Sequence, residues 1–261
     1  MCLILLAIDT HPDYHLILAA NRDEFLDRPT APASFWDDAP EVLAGRDLKG
    51  GGTWLGITTT GRLAALTNYR DLRSLRPDAP SRGGLVSDFL RGSMSAAAYL
   101  DYLEEKGSAY NDFNLVFGDM QSLNWFSNRG NRHALLSPGI HGLSNEFLDS
   151  PWPKVNLGRE ALERIAAAGG RVRPEELFTI LADRTMAPDH LLPDTGVGIE
   201  RERMLSPLFI ASPGYGTRSS TVLLVDREGR VTFSERTFNA EPDQERTVTR
   251  RFTIAPPPHN R

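Results

Sequence analysis

Residues 1–25 read MCLILLAIDTHPDYHLILAANRDEF. Two apolar runs, LILLAI (3–8) and HLILAA (15–20), flank DTHPDYH, whose Asp and Pro supply turn chemistry. The stretch is therefore expected to fold as a β-hairpin. Its second strand ends on Asn21, Arg22, Asp23 and Glu24. Paired strands lie about 4.8 Å apart, so the hairpin returns residues near 20–23 to the side of Cys2. Cys2 is the one cysteine of 261 residues. A residue as small as Cys at position 2 permits removal of Met1, which leaves a thiol and an α-amine on the same residue. The amine's reference pKa of roughly 7.7–8.0 lets it act as base toward that thiol. The bland alternative is a small buried hydrophobe beginning a strand.

Outward from the hairpin, NRDEFLDRPTAPASFWDDAP (21–40) is polar and Pro-rich without a period, and is expected to be a long loop. TWLGITTTGRLAALTNYR (53–70) reads as two strands around a Thr-Gly turn. SRGGLVSDFLRG and SAAAYLDYLEEKG read as helices, followed by strand-like FNLVFGD, LNWFSN and HALLSPGIHGLSN. KVNLGREALERIAAAGG carries an apolar stripe of Val155, Leu157, Leu162 and Ile165, and RPEELFTILADR has Pro174 near its start; both read as helices. SPLFIAS, RSSTVLLVD and RVTFSERTF read as three closing strands, with a frayed Pro-rich tail from about 255. Strands and helices come in blocks rather than in strict βαβ alternation. This points to α+β architecture: two largely antiparallel sheets with helices outside, in one domain spanning 1–261.

Composition narrows function. The chain has 29 Lys and Arg against 34 Asp and Glu, a formal net charge of −5. That excludes the strong basic excess of a general nucleic-acid binder. No apolar stretch reaches the roughly 20 residues of a membrane helix, so no stable membrane insertion is expected. A lone cysteine forms no intrachain disulfide, which favours a reducing, cytoplasmic compartment. There is no CxxC pair, HExxH, GxGxxG or GxxxxGK[ST], so no metal or other cofactor is expected. GRDLKGGGTWLG (45–56) is Gly-rich but lacks the Lys-Ser/Thr ending of a phosphate loop. The expected partner is a small-molecule substrate or lipid-like ligand, with a homo-oligomer allowed for.

Beside Cys2, Arg22 would stabilise a thiolate, and Asp23 would hold the α-ammonium or orient a substrate amine. The alternative for both is a solvated charge cluster at a strand end. Asn68 in LTNYR and Asn145 in HGLSNEF stand at strand ends, where an Asn amide is a neutral donor suited to an oxyanion; either is otherwise a turn residue. Arg218, in GYGTRSST, could pair with Asp23 or with a substrate carboxylate. Asn21, Glu24, Trp54 and Tyr69 complete the candidate substrate-binding set. Trp36 and Phe25, with Trp54 and Tyr69, hint at an apolar acyl or aromatic group, although aromatics more often serve the core.

Taken in order, MC, NRDEF, GGTWLG, LTNYRD, GLSN with PWPKV, and GTRSST resemble the NRDE family, whose eukaryotic members are called transport and Golgi organisation protein 2. The likeness runs from residue 1 to about 240. That family in turn resembles the cysteine branch of the N-terminal-nucleophile hydrolases, which includes penicillin V acylase, bile salt hydrolase and acid ceramidase. The resemblance implies a four-layer α-β-β-α sandwich and an amide (C–N) hydrolase or acylase. By position it implies Cys2 as nucleophile, Arg22 as the Arg ending the second strand, Asn68 as an oxyanion-hole donor, Asn145 as the Asn of a TN-x-P segment, and Arg218 as a late active-site Arg. Two departures stand out. The acylase branch places its Asp three residues after that Arg, where this chain has Phe25, and Glu146 and Phe147 stand where Pro is common. The family also admits a non-catalytic reading, in which the fold binds or carries a lipid, acyl-CoA or haem. No CxxCH or paired axial ligands support haem here.

Overall fold

The computed structural model describes residues 2–238 and 245–255. The side chain of Cys2 and the Pro-rich tail beyond Ala255 lie outside that description. The first sheet is built from β1 (Cys2–Ile8) and β2 (Tyr14–Phe25), the hairpin expected from the opening stretch. The second sheet follows in chain order: β3 (Thr30–Trp36), β4 (Ala39–Asp47), β5 (Leu55–Thr58), β6 (Leu63–Asn68), β7 (Phe113–Gly118), β8 (Leu123–Ser127) and β9 (Arg132–Leu135). Helices α1 (Gly83–Arg91) and α2 (Ala96–Lys106) fall between β6 and β7. The chain then returns to the first sheet through β10 (Gly139–Leu143), α3 (Pro153–Ala168), α4 (Pro174–Leu181), α5 (Ile199–Leu205), β11 (Ala211–Ser212), β12 (Tyr215–Asp226), β13 (Arg230–Thr237) and β14 (Arg246–Thr253). Its order is β10-β1-β2-β12-β13-β14, with β11 paired to β12. All strand pairings among the described residues are antiparallel.

Three cores stack through the molecule, and they make the four-layer α-β-β-α sandwich. Ile4, Leu6, Leu16, Leu18, Leu223 and Phe233 meet Leu43, Ile57, Leu63 and Val116 between the sheets. Leu3, Leu5, Ile17, Ala19, Val222 and Leu224 face Val155, Leu162, Leu177 and Phe178 of the α3–α4 layer. Val42, Ala44, Leu66, Leu115 and Phe117 face Leu85, Phe89, Tyr99 and Leu103 of α1 and α2. This is why β1 and β2 are continuous apolar runs rather than alternating ones: both of their faces are covered. Each buried Leu or Ile contributes roughly 1.5–3 kcal/mol.

The helices start and stop as their sequences direct. Ser95 caps α2, its Oγ accepting the Ala98 N–H at 3.2 Å. Pro153 and Pro174 open α3 and α4, and Gly169 ends α3 at φ 67°.

Two expectations are corrected, those for 21–40 and for SPLFIAS, and the structure adds detail elsewhere. The segment 21–40 is no loop: β2 continues to Phe25, and β3 and β4 follow. The period was hidden because β3 is an edge strand that carries Pro32 and an irregular register between Ala31 and Ser34. HALLSPGIHGLSN is two strands in different sheets, β9 and β10, separated at Ser137–Pro138. SPLFIAS pairs only at Ala211–Ser212, because Leu208, Phe209 and Ile210 are buried in a connecting segment instead. Helix α5 and strand β14, both rich in charge, had no apolar pattern to announce them.

Candidate active site

The register of the opening hairpin is the starting point. Cys2 pairs with Arg22, Leu3 with Asn21 and Ile4 with Ala20. On its other side β2 pairs with β12, where the register slips by one: Thr217 faces Asp23, Ser219 faces Arg22, and Arg218 is the extra residue of a bulge. Bulges re-aim side chains. Here the Arg218 guanidinium gives Nη1 hydrogens to the carbonyls of Phe25, Leu26 and Arg28, and so clamps the turn that leaves β2. Arg218 is thus a brace of the site rather than a partner of Asp23. Burial, and then the nearby Arg22 charge, lower its pKa.

Beside the end of β2 lies a cleft of about 460 Å³. Arg22, Glu24, Trp54 and Asn68 line it, and Asp23 reaches its edge. The Arg22 side chain is 5% exposed, with its guanidinium 4.3 Å above the Trp54 ring. Its Nη1 donates to Thr30 Oγ1 at 3.3 Å, and Glu24 and Asp47 lie 3.9 Å from Nη2. Stacking on an indole and two carboxylates at a distance fix the charge without neutralising it at contact.

Alternation turns Asp23 the other way, toward the helix layer. Its Oδ1 accepts the Thr217 hydroxyl at 2.7 Å. Burial raises its pKa, and the Lys154 ammonium on α3 is the strongest opposing influence. Lys154 is itself 3% exposed, with Nζ donating to the Leu205 carbonyl at 3.0 Å.

Asn145, fully buried just past β10, donates Nδ2–H to the main-chain carbonyl of Asn68 at 2.7 Å. The two asparagines meet, but only Asn68 lines the cleft. Asn21 does not line the cleft by way of its amide: Nδ2 donates to the carbonyls of Leu181 and Leu208 at 2.9 and 2.8 Å, and Oδ1 accepts from Ser220 at 2.6 Å. It ties β2 to the helix layer, since odd positions on this strand face outward. Tyr69 packs its ring 5.2 Å from Phe147, under Arg129, and is absent from the cleft wall. Trp36 belongs to the outer core, with Nε1 donating to Ala44. Phe25 is 60% exposed against Tyr215.

Sequence reasoning missed several residues that the fold brings here. Lys49, Thr53 and Arg82 line the cleft. Lys49 and Thr53 lie in the Gly-rich stretch 45–56, whose lack of a phosphate-loop ending hides its part in the cleft wall, and Arg82 precedes α1 with no local signal of its own. Glu235 on β13 is 1% exposed between the sheets; Oε1 accepts the Ala33 N–H at 2.7 Å, and burial pushes its pKa up to about 7 against the opposing Ala33 hydrogen bond and Arg22 charge. Nothing local in SERT announces that.

The architecture is thus a four-layer α-β-β-α sandwich whose N-terminal strand opens, at residue 2, beside a polar cleft. Residues 1–240 match the family model described as Transport and Golgi organisation 2, and the chain belongs to that family. It is 40% identical over 280 residues to the Bos taurus transport and Golgi organization protein 2 homolog, covering 97% of this chain and 99% of that one. The Homo sapiens homolog is likewise 40% identical, over 276 residues, with the same coverage. Among solved structures, the Caenorhabditis elegans N-acylethanolamine-hydrolyzing acid amidase (NAAA) ortholog overlays with a TM-score of 0.48 at 10% identity, over 86% of this chain and 92% of that one. An overlay at that level carries no weight for the chemistry. Among the described residues, no helix is long and apolar enough to cross a membrane.

Proposed function

We propose that the chain is an N-terminal-cysteine amide (C–N) hydrolase or acylase acting on a small acylated substrate. The observation that carries this reading is the register pair Cys2–Arg22, which puts the single cysteine's main chain at the head of a polar cleft. Once Met1 is removed, the α-amine of Cys2 takes the thiol proton and the thiolate attacks the acyl carbon. Arg22 stabilises the thiolate, and the Asn68 amide donates to the oxyanion as the tetrahedral intermediate forms. Asn145 positions Asn68 through its carbonyl. Collapse returns the proton to the departing amine and leaves a thioester. Water, deprotonated by the same α-amine, then releases the carboxylic acid and restores the thiol. Asp23 holds the amine in place, Arg218 holds the turn after β2, and Trp54 offers the apolar wall. A single reduced cysteine suits the cytoplasm.

The test is intact mass after incubation with an acyl electrophile. Wild type is expected to lose Met1 and gain one adduct, and Cys2→Ala none. A retained Met1, or an equal adduct on the variant, removes the mechanism.

The relatives' names, which speak of transport and Golgi organisation, favour a second reading: a ligand-binding protein without turnover. An acyl-CoA or haem titration that shifts the melting curve of a chain inert to the electrophile would select it.

A further inference from the structure

The segment that carries Asn145 is tied at its base. At the end of β10 the chain turns between Gly142 and Asp149. The Asp149 N–H donates to the Gly142 carbonyl at 2.7 Å, and the Gly142 N–H donates back to Asp149 Oδ1 at 2.8 Å. Asp149 holds φ 57°, a left-handed conformation that a residue bearing a Cβ disfavours, so its contacts must keep it there. Across the turn, Asn145 holds the Asn68 carbonyl, and its own carbonyl accepts the Arg70 N–H at 2.8 Å. The Glu146 carbonyl accepts Asn114 Nδ2–H, also at 2.8 Å. The turn thus bridges the two sheets beside the cleft, and its base decides where Asn145 stands.

His141, on β10, closes that base. Its Nδ1 lies 2.8 Å from Asp149 Oδ2, and its Nε2 lies 2.9 Å from the Ser137 carbonyl in the connection from β9. A carboxylate and a carbonyl only accept, so both ring nitrogens must donate, and only the imidazolium carries a proton on each. Neither neutral tautomer can make both bonds. Although burial works against it, the bonds from His141 and the Gly142 N–H hold Asp149 below the ordinary carboxylate range, so it is not the donor. The His141 side chain is 13% exposed. The charges acting on it are Asp149 from the turn and Arg159 from α3, whose Nε stands 3.5 Å from Asp149 Oδ1; β1 sets the uncharged Leu6 opposite. The Asp149 hydrogen bond, against burial, raises the pKa of the imidazole above its ordinary 6.5.

We propose that His141 is a positioning residue: its second proton locks the turn that places Asn145, and through Asn145 the Asn68 main chain at the cleft. That the lock serves catalysis rests on the acyl-transfer reading above. When the ring gives one proton to solvent, one of its nitrogens turns a lone pair on an acceptor oxygen, and either Ser137 or Asp149 loses its donor. The folded chain binds this proton more tightly than the unfolded chain. The lock is therefore intact below the ordinary value and is released as pH rises through the folded one.

Three measurements on the full chain test this. The His141 ring is titrated by NMR in the wild type. Amide exchange is followed at Asp149 and Arg70, whose N–H groups donate to Gly142 and Asn145. The rate of adduct formation at Cys2 with the acyl electrophile is taken across the same pH range. The expected midpoint lies above 6.5, and the protection of both amides, corrected for the intrinsic pH dependence of exchange, falls several-fold across it. His141→Gln keeps a donor but cannot titrate, and is expected to show no such step. The adduct rate of wild type over that of the variant should fall toward one through the same midpoint. A midpoint at or below 6.5, or protection that declines equally in the variant, overturns the inference, while adduct on Cys2 leaves the acyl-transfer reading standing. A step in protection with an unchanging rate ratio overturns the positioning role. A step in protection with no adduct on Cys2 upholds the lock and overturns the acyl-transfer reading.

Discussion

Asn145 and Asn68 lie 77 residues apart in the chain, yet the amide of the first holds the main-chain carbonyl of the second at 2.7 Å. Asn145 belongs to the segment after β10 of the first sheet, and Asn68 ends β6 of the second. The bond therefore pins one sheet to the other beside the cleft. Asn145→Leu leaves that carbonyl without its donor and is expected to cost about 1–3 kcal/mol, a fall in Tm of roughly 2–4 °C for each kcal/mol. Asn68→Ala keeps the carbonyl and removes only the side-chain amide, so its Tm should stay within about 1 °C of wild type, since it breaks none of the named structural links. Calorimetry on the pair checks this; equal losses would contradict the division of labour.

Glu235 ties the stability of the sandwich to pH. Its ordinary pKa is 4.5, and burial pushes it up to about 7 in the folded chain. Between those values the folded state keeps a proton that the unfolded state has released. Stability from this group therefore falls as pH rises through the window, by about 1.4 kcal/mol per pH unit, and the loss is complete above the folded value. Glu235→Gln removes that slope while keeping an acceptor for the Ala33 N–H. Urea unfolding at pH 5 and pH 8 should show the variant gaining on wild type at the higher pH. Parallel curves would refute it.

The Gly-rich turn is specific residue by residue. A Cβ on Gly52 would run into the Gly83 carbonyl at the start of α1, whereas one on Gly51 meets nothing within 4 Å but must adopt φ 76°. Gly51→Ala is expected to cost about 1–2 kcal/mol from backbone strain alone. Gly52→Ala must displace main chain and is expected to cost about 3 kcal/mol or more.

Arg70 and Glu202 form a buried ion pair, Nη2 to Oε2 at 3.2 Å, with side chains 4% and 3% exposed. Glu202 also receives the N–H and hydroxyl of Thr195 at 2.9 and 2.6 Å. Removing either charge alone, as Arg70→Met or Glu202→Gln, is expected to cost about 3–5 kcal/mol. The double variant should cost clearly less than the sum, because neither charge is then left alone in the interior. Additive losses in denaturant melts would mean that the two do not act as a pair.

How much of this was legible in the sequence depends on whether the signal was local. The opening hairpin was, because LILLAI and HLILAA are buried on both faces and the turn between them is polar. Its register then placed Arg22 opposite Cys2 by simple counting. Strand β3 was not, since an edge strand with Pro32 and an irregular register carries no alternation. Asn21, expected in the substrate-binding set, lies on the face of β2 that belongs to the helix layer, and its amide is spent there. Lys154 sits in a helix whose polar positions look solvated, yet its side chain is buried and Nζ donates to the Leu205 carbonyl at the end of α5, a contact no local pattern announces. Glu235 lies in the last part of the chain and meets Ala33 from 202 residues away, a distance over which periodicity says nothing.

The slip at Arg218 has a meaning for chain length. Before it, the odd-numbered Thr217 faces the helix layer; after it, the even-numbered Ser220, Val222 and Leu224 do. The strand changes phase in the middle, opposite the step from Arg22 to Asp23. A chain lacking residue 218 would run an unbroken ladder through this point, with Thr217 still opposite Asp23 and Ser219 opposite Arg22, but it would lose the guanidinium that holds the carbonyls of Phe25, Leu26 and Arg28. What must be kept at this place is a count as well as a set of side chains, because the extra residue is what lets an arginine step out of the ladder and reach the turn after β2.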